Sequence, residues 1–179
     1  WLFYLLVGLL IVFALLKRAF PKYFSDLFRL FFRTTIKQRQ IKEQLMQTPL
    51  PSLVLNGFFV ISAGLYLGFL LEHYGLDPTG NFWLLSLYCV GGLTGVYLVK
   101  FIGLKLTGWL FNVRETADAY IFIVFIVNKM LGILLLPFLV IVAFTVGDLY
   151  EMGWMLSWCL VAGLLGYRLI LTYSAVRNQ

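Results

Sequence analysis

Charge is what this sequence has least of. Only 12% of its 179 residues are Asp, Glu, Lys or Arg, against about 25% in an ordinary soluble domain. Eight carboxylates, one histidine (His73) and two cysteines (Cys89 and Cys159) are its whole stock of acid, imidazole and thiol groups. That scarcity excludes most catalytic constellations. None of the serines at 52, 62, 86, 157 and 174 stands in a nucleophile motif, and there is no phosphate-binding glycine loop, HExxH or CxxC. His73 with Glu72 and Asp77 falls short of the three or four ligands a zinc site uses. Both cysteines lie inside apolar runs, so no disulfide framework is expected. The expectation is a non-enzymatic protein without metal or cofactor.

What is present instead is apolar surface. The chain is 61% hydrophobic, with a mean hydropathy of +0.91. Five runs, 1–16, 53–71, 82–99, 130–146 and 152–171, are almost wholly apolar. A hydrocarbon core of about 30 Å takes about 20 apolar residues per helix, so five spans use about 100 residues and leave little for a soluble domain. One all-α, polytopic membrane bundle is predicted. Because Trp1 is not an initiator Met, the sequence is expected to be an excerpt, with a first span whose start faces outward.

The few charges are sorted. Threading the five runs in order puts segment 17–42 on one side, with Lys100, Lys105, Arg114, Arg168 and Arg177. The loops left for the other side, 72–81 and 147–151, carry Glu72, Asp77, Asp148 and Glu151 and no cation. Basic loops stay in the cytoplasm during insertion. The expected topology has the N-terminus outside and the C-terminus cytoplasmic. Trp83, Tyr150 and Trp154 would form the outer aromatic belt, and Phe20, Tyr23, Tyr167 and Tyr173 the inner one.

Segment 17–50 accounts for the whole net charge of +6, with eight cations against Asp26 and Glu43. Tethered between two spans, it is suited to anionic phospholipid head groups and not to nucleic acid. Residues 22–47 are predicted helical and amphipathic. Arg29 and Arg33 share a cationic face with Lys22, Asp26 and Lys37, while Phe24, Leu27, Phe28 and Phe31 form an aromatic face for the membrane surface. The same aromatic face would also suit packing on the protein's own helix ends. Ser52 is a candidate N-cap for the second span.

Apolar character continues past both middle spans, over 82–111 and 120–146. With Lys100 and Lys129 as inner boundary markers, 101–128 becomes an apolar cytoplasmic hairpin with its tip at 114–118. Both ammonium groups then lie at one depth and, with Asn128, form a candidate anion or lipid head-group site. In the competing placement the fourth span starts at Tyr120 and Lys129 lies deep in the bilayer, where a charge costs at least about 2.5–3.5 kcal/mol. The lack of any carboxylate in the spans favours the first placement. Pro137 interrupts the hydrogen bonding of the fourth span. The pairs Gly64 and Gly68, Gly91 and Gly95, and Ala162 and Gly166 are spaced for close helix packing in lipid.

The run Tyr97-Leu98-Val99-Lys100, Trp109-Leu110-Phe111-Asn112, Tyr120-Ile121-Phe122 and Asn128-Lys129 to Gly132 and Pro137 resembles an uncharacterised family of Bacteroidota membrane proteins, a domain of unknown function. The resemblance implies a multi-span protein of a Gram-negative inner membrane, in which Lys100, Asn128 and Lys129 are more than incidental. It carries no activity with it.

Two function classes follow from these readings. The first is a scaffold or assembly subunit of a larger membrane complex, whose partners are other membrane subunits or further copies of itself. The second is a small transporter or lipid-handling protein that uses Lys100 and Lys129. A lipid-linked enzyme ranks third. The charge sorting makes a direct prediction in a Cys89→Ala/Cys159→Ala background. Asp77→Cys and Asp148→Cys should react with an impermeant maleimide in intact cells, and Arg18→Cys only after permeabilisation. The reverse labelling pattern would invert the topology.

Overall fold

The computed structural model of the chain describes residues 1–32, 49–76, 80–112 and 114–177. Arg33, Asp77 and most of the basic stretch beyond Phe32 lie outside the described residues. Among those described there are six helices and no strand: α1 (Leu2–Ala19), α2 (Pro21–Phe32), α3 (Pro49–His73), α4 (Phe82–Leu110), α5 (Arg114–Phe144) and α6 (Asp148–Arg177). All but the short α2 are long and apolar enough to cross a membrane. The all-α polytopic architecture expected from the apolar runs is therefore present.

The helix ends differ from expectation in two places. The second span starts at Pro49, so Ser52 lies within the helix and does not cap it. Pro49 and Pro51 sit in its first turn, where a backbone N–H would have no intrahelical partner. The α4–α5 turn comes at Phe111–Asn112, before residues 114–118. Asn112 takes a positive φ of 55° there, a left-handed geometry its short amide side chain tolerates. Helices α4 and α5 continue unbroken through Lys100 and Lys129. The candidate spans, Phe82–Leu110 and Ala117–Phe144, are 29 and 28 residues long, each longer than one bilayer needs. Helix α5 also continues through Pro137.

Helix α5 is the hub: two thirds (67%) of its apolar window is buried, against 11% for each of α1, α4 and α6. It packs on all five other helices, most extensively on α3, α6 and α4. Side-chain contacts between the helices give their directions. Tyr97 meets Asn128 and Phe101 meets Phe125, so α4 and α5 are antiparallel. Lys129 meets Ser52, and Gly132 faces Phe59 further along both helices, so α3 and α5 run parallel.

Glycine sets how closely these helices approach. A Cβ on Gly132 would stand 2.7 Å from the Phe59 Cα, a backbone atom with no freedom to yield. On α3, a Cβ on Gly64 would lie 3.0 Å from the Val90 Cα and one on Gly68 2.7 Å from the Ser86 Oγ, so this pair does seat α4. The other expected pairs do not pack inside this chain. Gly91, Gly95 and Gly166 face open space, and Ala162 is exposed.

The amphipathic face of α2 is turned inward. Phe24, Leu27 and Phe31 are buried in the protein's core and Phe28 packs against it. They meet α1 and α5, with Phe13 edge-on to Phe24 and the Tyr167 hydroxyl donating to the Phe31 carbonyl oxygen. The membrane-surface role expected for these residues gives way to internal packing, because an apolar helix face is satisfied by either environment. Tyr23 and Trp154, expected in the aromatic belts, are likewise buried, whereas Trp83, Phe20 and Tyr173 remain exposed.

Gly132→Ala is expected to cost about 1–3 kcal/mol through overpacking, read as a lower melting temperature in detergent. Gly91→Ala, facing open space, should leave that temperature unchanged.

Candidate functional site

The most unusual group inside the bundle is the Lys129 side chain, only 4% exposed. It leaves α5 one turn before Gly132, on the side where α3 approaches closest. Its ammonium donates to the Tyr23 hydroxyl at 3.0 Å and the Ser52 Oγ at 2.7 Å, with the Tyr23 ring centroid 5.7 Å away. Three helices, α2, α3 and α5, therefore meet on one charge. A buried ion is costly unless hydrogen-bonded, and these two oxygens supply the compensation. Among the described residues no carboxylate joins them.

Tyr23 sits outside the candidate spans. Burial pushes its phenol above the ordinary tyrosine value, and the hydrogen bond with Ser52 offsets part of that rise. The phenol is thus held protonated, a neutral acceptor for Lys129 and not a counter-ion. The neighbourhood holds further polar atoms. Asn128 Oδ1 accepts from the Tyr97 hydroxyl at 3.3 Å. Asn128 Nδ2, and Asn56 Oδ1 one turn beyond Ser52 on α3, are buried without a protein partner.

Lys100 does not join Lys129. Its ammonium lies 5.5 Å from the ring centroid of Tyr120, whose hydroxyl accepts from the Arg168 guanidinium at 3.0 Å. The two lysines expected to share an anion go to different partners, one at the α2–α3–α5 junction and one beside α6. Sequence spacing assigns each lysine to its helix and to a common depth, but does not point to Arg168 as a partner. The signal that could have found it is a lone cation in an otherwise apolar run.

At the opposite end of the bundle, His73 Nδ1 and the Tyr150 hydroxyl share a 2.9 Å hydrogen bond. The imidazole stacks on Trp154 at 5.0 Å. Below it the Tyr66 and Ser157 hydroxyls are 2.8 Å apart. No group of three or more potential metal ligands occurs among the described residues.

These features define a helical bundle of the multi-pass membrane type, with a lysine buried among hydroxyl groups. More particularly, the chain belongs to the family described as domain of unknown function DUF4271, whose model matches residues 2–179. No curated protein and no solved structure matches it.

The geometry of Lys129 sets an asymmetry that mutation can read. Tyr23→Phe or Ser52→Ala leaves the ammonium short of an acceptor and should cost about 1–3 kcal/mol. Lys129→Met removes the charge together with its need for acceptors and should be close to neutral. In the Lys129→Met background, Tyr23→Phe should then lose most of its effect. Melting temperatures in one detergent check all four proteins.

Proposed function

We propose that this protein is a non-enzymatic scaffold or assembly subunit of a larger complex in the inner membrane of a Gram-negative bacterium. Its N-terminus would face outward and its C-terminus the cytoplasm. The compartment rests on the resemblance to Bacteroidota membrane proteins, and the orientation on the cation-free loops. The partners are other membrane subunits or further copies of the chain, with anionic phospholipids at its basic surface.

One observation carries the assembly reading. Beyond Lys105, the α4–α5 hairpin still presents Leu106, Trp109, Leu110 and Phe111, each 59–71% exposed. Phe111 lies six residues beyond Lys105, about 9 Å of helix at 1.5 Å per residue. With Lys100 at the head-group level, that length would carry apolar side chains to the far edge of the head-group region, beyond the cover of lipid tails. A contiguous apolar surface in that position marks an interaction site.

The alternative is a transporter or lipid-handling protein with a head group held jointly by Lys100 and Lys129. It has less support, since Lys129 directs its donors to Tyr23 and Ser52. Buried hydrogen bonds that tie three helices together favour a rigid part over a moving one.

Extraction of native membranes in a mild detergent tests the proposal. The expected product is a larger assembly containing at least one other membrane protein or several copies of this chain. Trp109→Ala with Phe111→Ala should release the protein from it, since buried aromatic anchors at interfaces are commonly worth about 2 kcal/mol or more. Recovery of a lone monomer from wild-type membranes would overturn the reading.

A further inference from the structure

We propose that Lys100, Tyr120 and Arg168 form a binding site for a phosphate group between α4, α5 and α6. The site is separate from Lys129 and does not depend on the assembly reading.

The register of the helices is the first argument. Phe101 pairs with Phe125 across α4 and α5, which puts the Lys100 backbone level with that same turn of α5. Gly153 packs on Ile141 across α5 and α6. Fifteen residues onward on α6 and back on α5, Arg168 is level with Ile126. Yet neither head group stays at that level. The Lys100 ammonium lies 5.5 Å and the Arg168 guanidinium carbon 5.9 Å from the ring centroid of Tyr120. Both side chains therefore reach along α5 toward the basic end of the bundle and converge on one ring. Snorkelling accounts for the direction but not for the convergence, because two like charges brought together repel.

Their unused donors are the second argument. Arg168 gives one hydrogen bond, to the Tyr120 hydroxyl at 3.0 Å. Lys100 contacts the same ring. Among the described residues neither cation has a carboxylate in ion-pairing reach. All three side chains are half-buried. A partly dehydrated guanidinium fork beside an ammonium matches the oxygens of a phosphate, which accepts several charge-assisted hydrogen bonds at once. Tyr120 is the positioning residue: its hydroxyl anchors Arg168 and its ring face holds Lys100.

The chemistry fits a phospholipid head group and a free phosphate equally, and the test separates them. The purified full chain in a neutral detergent is titrated with phosphatidylglycerol, phosphatidylcholine and inorganic phosphate, and bound lipid is counted by native mass spectrometry. Wild type should prefer phosphatidylglycerol. Lys100→Gln and Arg168→Gln should each weaken that binding roughly fivefold, the effect of one interfacial cation. Lys100→Arg and Arg168→Lys should largely retain it. Glu72→Gln, which changes the net charge by one at the opposite end of the bundle, should not change it. Displacement of phosphatidylglycerol by millimolar inorganic phosphate in wild type would identify a soluble phosphate as the ligand. Its failure to displace would identify the lipid. The proposal is overturned if the two Gln variants bind phosphatidylglycerol as wild type does. It is equally overturned if wild type binds no phosphate and does not distinguish the two lipids. Single substitutions on half-exposed positions keep the fold, and the charge-retaining pair reports independently should either Gln variant not fold.

Discussion

The contact on which the rest of this bundle depends is between two parallel helix backbones, α3 at Phe59 and α5 at Gly132. In lipid there is no hydrophobic gain from burying one apolar helix against another. Close van der Waals packing and interhelical hydrogen bonds must supply the cohesion. Gly132 provides the first and Lys129, one turn earlier, the second. Because α3 and α5 run in the same direction, α4 has to return between them. Its fit against α3 is set by the small residues Gly64 and Gly68. Helix α6 is the next antiparallel neighbour of α5, and α1 and α2 close the remaining side. The order of the bundle follows from which faces of α3 and α5 lack a side chain.

Two lysine-centred clusters punctuate this apolar frame, and they differ in kind. Lys129 is enclosed and answered by neutral oxygens from two other helices. It resembles an internal fastening, with the cost of a buried charge offset by hydrogen bonds whose geometry admits few alternatives. Lys100 and Arg168 are half-buried, converge on a single tyrosine and have donors to spare. The first arrangement contributes to a unique packing. The second has the character of a surface prepared for something outside the chain. Counting cations in the sequence treats them alike, whereas their surroundings separate them.

Much of the architecture was legible in the sequence. Uninterrupted apolar runs flanked by turn residues can only be long helices in a chain this poor in charge, and each of the five runs falls, to within two residues at its ends, in a helix that qualifies as a span. The inward faces were not legible. Phe24, Leu27 and Phe31 show an amphipathic pattern, but the pattern says only that one face avoids water. It does not say whether lipid or protein covers that face. Tyr23 and Trp154 sit where interfacial aromatics sit, and only rotation about the helix axis turns them inside. The partners of Lys100 and Lys129 depended on helix register, and register here is set by close approach at glycines such as Gly132 and Gly64. Glycine spacing alone does not reveal it, since Gly91 and Gly95 share the spacing and touch nothing.

Lys129 also bears on how the chain is made. Its acceptors lie 106 and 77 residues earlier in the polypeptide. Synthesis proceeds from the N-terminus, so Tyr23 and Ser52 leave the ribosome well before the fifth helix does. When the insertion machinery releases that helix sideways into lipid, both oxygens are already in place to receive the ammonium. A rearranged chain with α5 ahead of α2 and α3 would have to deliver a naked lysine to the bilayer, so gene order is part of what makes this buried cation tolerable.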